Sequence, residues 1–130
     1  METFDMEIVF PGETRVDAWL AGVHIPTGGE DEPSPFDLFL ASIGTCAGIK
    51  VLRFCQERHI PTTGLNITQR MFYNPDRNMI RKIELIIDLP LNFPMKYYNA
   101  VIHVANTCGV KKHLAEPPDI VISTVAREGR

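Results

Sequence analysis

The chain has 130 residues, of which 45% are hydrophobic and 22% charged, and its formal net charge is −3. That charge excludes a fold organised around nucleic acid or anionic lipid, either of which calls for a basic face. A chain of this length suits one compact domain burying roughly two-thirds of its unfolded surface, and residues 1–130 are expected to form one.

Three cysteines are too few for a secreted disulfide framework. The opening residues Met1-Glu2-Thr3-Phe4-Asp5 lack the basic-then-apolar pattern of a leader. No uninterrupted apolar run approaches the roughly 20 residues of a membrane span. The expectation is a cytoplasmic protein with no membrane and no nucleic-acid partner.

Residues 4–10 alternate, with Phe4, Met6, Ile8 and Phe10 on one face, which predicts a half-buried strand. Pro11-Gly12-Glu13-Thr14 is a turn. Arg15 to Leu20 reads as a second strand, and Val23 to Ile25 as a short third. An acidic loop, Thr27 to Pro33, follows. Ser34-Pro35-Phe36-Asp37 is a helix start: Ser34 caps, Pro35 fits the first position, and Asp37 stands at the capping-box position. The helix should run to about Arg58. It is apolar on most sides, so it must be buried in the domain or against a partner subunit. Gly44 and Gly48 allow another backbone close, either in simple packing or on a self-association face.

Leu65 to Tyr73 and Met79 to Leu89 alternate on either side of Asn74-Pro75-Asp76-Arg77-Asn78, which predicts a hairpin. Met95 to Ala105 reads as an amphipathic helix, Cys108 to Leu114 as a short one, and Ile120 to Val125 as a last strand. The order gives an α+β fold with a largely antiparallel sheet.

Two cysteines carry the chemistry. Cys46 lies inside the apolar helix, with Lys50 one turn on and Arg53 two turns on. Cys108 opens a basic segment containing Lys111 and Lys112. Nearby cations and a helix start both favour the thiolate, the reactive form. A redox pair is the functional reading; a small core hydrophobe and an exposed helix-start residue are the bland ones. Cys55 is read as core. His103, Cys108 and His113 recur every five residues without a tight ligand pair, so no metal and no cofactor are expected. Trp19, Tyr97 and Tyr98 are read as core or interface anchors.

The run Pro33-Ser34-Pro35-Phe36-Asp37-Leu38-Phe39-Leu40-Ala41-Ser42-Ile43-Gly44-Thr45-Cys46, the run Cys108-Gly109-Val110-Lys111-Lys112-His113-Leu114 with Pro117-Pro118, and the separation of the cysteines resemble the OsmC/Ohr family (osmotically inducible protein C and organic hydroperoxide resistance). The resemblance implies an intertwined homodimer whose antiparallel sheets pack on long central helices, with active sites at the subunit interface. It implies that Cys46 attacks an organic hydroperoxide, that Cys108 closes a disulfide with the resulting sulfenic acid, and that an external thiol reductant restores the pair.

One departure stands out. The peroxidase branches carry a glutamate directly after the proline that starts the helix, where this chain has Phe36. That glutamate holds an active-site arginine, for which Arg15 is the candidate here. Its loss leaves Arg15 untethered or held by Asp37, and places the chain nearer the OsmC-like branch. Two other readings follow from it. One is a non-catalytic module holding a small apolar or thiol-reactive metabolite at the dimer interface. The other is a stress-linked dimer in which both cysteines are structural.

Overall fold

The computed structural model describes residues 1–127. Three strands come first: β1 (Glu7–Gly12), β2 (Arg15–Leu20) and β3 (Val23–Thr27). They form one antiparallel sheet in the order β1-β2-β3. The turn between β2 and β3 is two residues, Ala21 and Gly22, both at positive φ. That is the backbone a tight hairpin requires, and glycine adopts it without strain.

Helix α1 (Pro35–Glu57) follows and starts as predicted. The Asp37 N–H donates to Ser34 Oγ at 3.0 Å, and the Ser34 N–H donates to Asp37 Oδ2 at 3.1 Å. The two bonds satisfy backbone donors that a helix start otherwise leaves open. Strands β4 (Asn66–Asn74) and β5 (Met79–Asp88) form the predicted hairpin as a second antiparallel sheet. A 3-10 turn (Met95–Tyr97) leads into α2 (Tyr98–Ala105), where one continuous helix is expected from Met95. Helix α3 (Gly109–Ala115) closes the ordered elements.

The core lies between α1, α2 and the hairpin. Val51, Phe54, Cys55, Phe93 and Val101 are buried, with Ile67, Ile87, Tyr97 and Val104 packed around them. Gly44 and Gly48 face β4. A Cβ at Gly44 would collide with the Gln69 side chain, whose Nε2 donates to the Leu40 carbonyl at 2.9 Å. Close packing within the chain therefore explains Gly44.

Two expectations need correction. Ile120 to Val125 forms no strand, and its apolar residues are exposed, because no free sheet edge in the chain meets it. Strand β1 is exposed along its whole length rather than half-buried, because β1–β3 makes at most isolated contacts with the other elements. Helix α1 taken whole is long and apolar enough to cross a membrane by length and composition, although no uninterrupted apolar run does so. It carries Lys50 and Arg53 and packs on α2, α3 and β4, as a core helix does.

Candidate functional site

Cys46 sits in the fourth turn of α1, half-buried, and Cys108 is the N-cap of α3. Cys108 has extended backbone (φ −67°, ψ 145°), and its Sγ accepts from the Lys111 N–H at 3.4 Å. The thiol does at this helix start what a serine hydroxyl does at others. The chain thus holds Cys108 by its own backbone. It is 2% exposed, so the reading of it as an exposed helix-start residue is excluded.

Packing of α3 against α1 brings the two cysteines together. The backbone N–H of Val110, at the start of α3, is the largest influence lowering the Cys46 thiol below its ordinary pKa. Burial opposes that effect. With the Val110 N–H, the Cys108 thiol, the Gly109 N–H and the Lys50 ammonium outweigh it, so the Cys46 thiol lies below the ordinary value. Such an arrangement stabilises negative charge on sulfur next to a second thiol.

Cys55 behaves in the opposite way. It is fully buried, and burial pushes its thiol up against a smaller opposite pull from Arg58. It is core, as its sequence position implies. His113 Nδ1 lies 2.7 Å from the Gly109 carbonyl within α3, and His103 is exposed. Among the described residues no cluster of three or more His, Cys, Asp or Glu side chains is arranged to hold a metal.

Arg15 is neither untethered nor held by Asp37, which is committed to the helix cap. Its guanidinium bonds the buried Asp17 carboxylate and lies 3.8 Å from Glu32. His24 Nε2 shares Asp17 Oδ2 at 2.7 Å and stacks on Trp19. Burial pushes the Asp17 carboxyl up, but the bonds from His24 and Arg15 prevail and hold it below the usual range. Within one chain Arg15 is tied to β2 and the acidic loop, and Lys50 is the cation that acts on Cys46.

Two apolar cavities open beside α3; Cys108 lines the first, and Cys46 lines neither. One of ≈ 430 Å³ lies between α1, β5, α2 and α3, with Ile43, Ala47, Leu85, Ile102 and Cys108 on its walls. The other, of ≈ 710 Å³, is bounded by Phe36, Phe39, Leu40, Tyr73 and Met79. Ile43, Ile83 and Leu114 line both, so the two adjoin, and together they make up the apolar trough of this chain.

Reading the sequence missed the main-chain donors of Gly109 and Val110, which no side-chain pattern signals. It also missed Asp17 and Glu32. Asp17 had a visible cue: it stands two residues from Arg15 and so shares its strand face.

A family model described as OsmC-like protein matches residues 28–123. No curated protein matches the chain. Among solved structures, a hypothetical protein of Aquifex aeolicus VF5 is similar with TM-score 0.72 and 18% identity, covering 90% of each chain. A Psychrobacter arcticus 273-4 protein, proposed to be an osmotic stress induced and detoxification response protein, gives TM-score 0.67 and 19% identity over 86% of this chain and 88% of that one. An OsmC-like protein of Mycoplasma pneumoniae gives 0.64 and 16% over 89% of each. At these identities the structural likeness speaks for the fold alone.

Proposed function

The chain belongs to the OsmC-like protein family, and from that premise we propose that it reduces organic hydroperoxides through Cys46 and Cys108 in defence against oxidative stress. One observation carries the reading. The Val110 and Gly109 N–H groups and the Cys108 thiol all act to lower the Cys46 pKa, which supports a thiolate at Cys46 beside a second thiol.

The chemistry balances with those two residues and an external thiol. The Cys46 thiolate attacks the distal oxygen of the peroxide and the O–O bond breaks. The alkoxide leaves and takes a proton to become the alcohol, and Cys46 becomes a sulfenic acid. The Cys108 sulfur then attacks Cys46, and the hydroxyl departs as water. Two thiols of a reductant restore the pair. The apolar trough suits a peroxide with a hydrocarbon body better than hydrogen peroxide. Arg15 would join such a site to stabilise the developing oxygen charge only when supplied across a subunit interface.

A homodimer completes this reading. The exposed β1 strand, the apolar Ile120–Val125 segment and a separate open groove between α1 and β4, lined by Ala41, Gly44 and Gly48, are all surfaces that a second copy would cover. Sedimentation equilibrium of the full chain should return twice the monomer mass at micromolar concentration; a monomer throughout would contradict the assembly. A cytoplasmic location fits thiols that must be kept reduced.

The test is stoichiometric. One equivalent of cumene hydroperoxide added to the reduced protein should yield one equivalent of alcohol and a Cys46–Cys108 disulfide found by peptide mapping. Alcohol formation without oxidation of Cys46, or no reaction at all, would leave the trough as a binding site for an apolar metabolite.

A further inference from the structure

A further cavity, of ≈ 280 Å³, lies along the Cys46 face of α1, against the end of α2. Its walls include Lys50, Arg53, Arg58, Glu57 and Thr107. Cys46, Lys50, Arg53 and Glu57 are spaced four, three and four apart, so they run along one stripe of the helix. Arg58 is fixed in place: its guanidinium lies 3.7 Å over the Phe54 ring, Nη1 donates to the Phe54 carbonyl at 3.2 Å, and Glu57 is 3.9 Å away. Among the described residues no carboxylate pairs with Lys50 or Arg53. Three cations against one carboxylate, in a chain of net charge −3, leave a local positive excess. The position matters as much as the charge. Lys50 acts on Cys46 from one wall, and Thr107 on the other directly precedes Cys108.

We propose that this cavity docks the anionic part of a small carboxylate-bearing thiol that re-reduces the Cys46–Cys108 disulfide. The proposal rests on the reading of those cysteines as a redox pair. A carboxylate placed between Lys50 and Arg53 gains charge-assisted hydrogen bonds and sets its thiol beside the disulfide. The reductant thiolate attacks one disulfide sulfur and expels the other cysteine as a thiolate. A second reductant thiolate attacks the mixed disulfide at the reductant sulfur and releases the first cysteine. Two reductant thiols become one disulfide, the protein gains two electrons, and the two thiol protons pass to Cys46 and Cys108.

The experiment uses the full chain oxidised with diamide, so it needs no peroxide. Re-reduction rates are measured with mercaptosuccinate and with neutral 2-mercaptoethanol, each normalised to that thiol's rate on a neutral small disulfide. The expected result is a normalised preference for mercaptosuccinate that Arg53→Gln cuts about tenfold while leaving 2-mercaptoethanol within a factor of about two. Succinate should compete with mercaptosuccinate alone. Equal normalised rates, or an Arg53→Gln effect equal for both thiols, would overturn the proposal. A second arm separates it from the redox reading: succinate should protect Lys50 of the reduced protein from acylation, read by mass spectrometry. Protection in a protein whose cysteines form no disulfide would keep the anion site and overturn its role with a reductant. No protection would overturn the site itself.

Discussion

Cys46→Ser is expected to lower turnover of an organic hydroperoxide with a dithiol on the order of a thousandfold, to the background of the dithiol alone. The serine hydroxyl keeps the volume and a hydrogen-bonding atom, so the fold should survive. It does not ionise near neutral pH, and the Val110 and Gly109 N–H groups then have no thiolate to stabilise. Cys108→Ser should behave differently. The first peroxide is still reduced, because attack needs Cys46 alone, and the protein then halts as a sulfenic acid that a dimedone reagent traps. A steady rate in Cys46→Ser equal to wild type would remove Cys46 from the chemistry.

The second large effect concerns stability. Phe54→Ala is expected to cost about 3–5 kcal/mol. Phe54 is 3% exposed and meets Tyr97 edge-on at 5.4 Å between ring centroids and Phe93 at 6.4 Å. Arg58 lies over its other face. Truncation to alanine opens a cavity among Val51, Cys55 and Val101 and removes the surface on which Arg58 rests. Chemical denaturation should show the midpoint falling with little change in slope. A loss below about 1 kcal/mol would mean that the α1–α2 core is not where this structure places it.

Much of the fold was readable from local signals. The Ser34-Pro35-Phe36-Asp37 start announced α1 to within a residue, because a capping box is decided by four neighbouring side chains. The β4–β5 hairpin was equally plain, because alternation and its turn are both local. What failed was anything that depends on a distant surface. Residues 120–125 are rich in β-branched residues like a strand, yet a strand exists only when an edge pairs with it. Phe4, Ile8 and Phe10 carry the pattern of a buried face, and nothing among the described residues covers them.

The site was legible to the same extent. Its cysteines stood out through their sequence contexts and the family they resemble. Their environment did not, because it is made by backbone N–H groups of α3 that reach Cys46 only once α3 docks on α1. The tether of Arg15 was missed for a related reason. Asp17 is one strand repeat from Arg15, but Glu32 lies in the acidic loop and meets Arg15 only in the folded chain.

The most direct test of the account is the rate of alkylation of each cysteine in the native protein as a function of pH, read by mass spectrometry. The thiolate is the reacting species, and Cys46 is held below the ordinary thiol value, so its rate should rise through a midpoint under the free-cysteine value of about 8.5. Below that midpoint the thiolate takes up a proton and the rate should fall away. Cys55, buried and pushed the other way, should stay unlabelled until the protein unfolds. If Cys46 instead titrates at or above the free-cysteine value, or labels no faster than Cys55, the N–H groups of α3 do not activate it and the proposed peroxide chemistry falls.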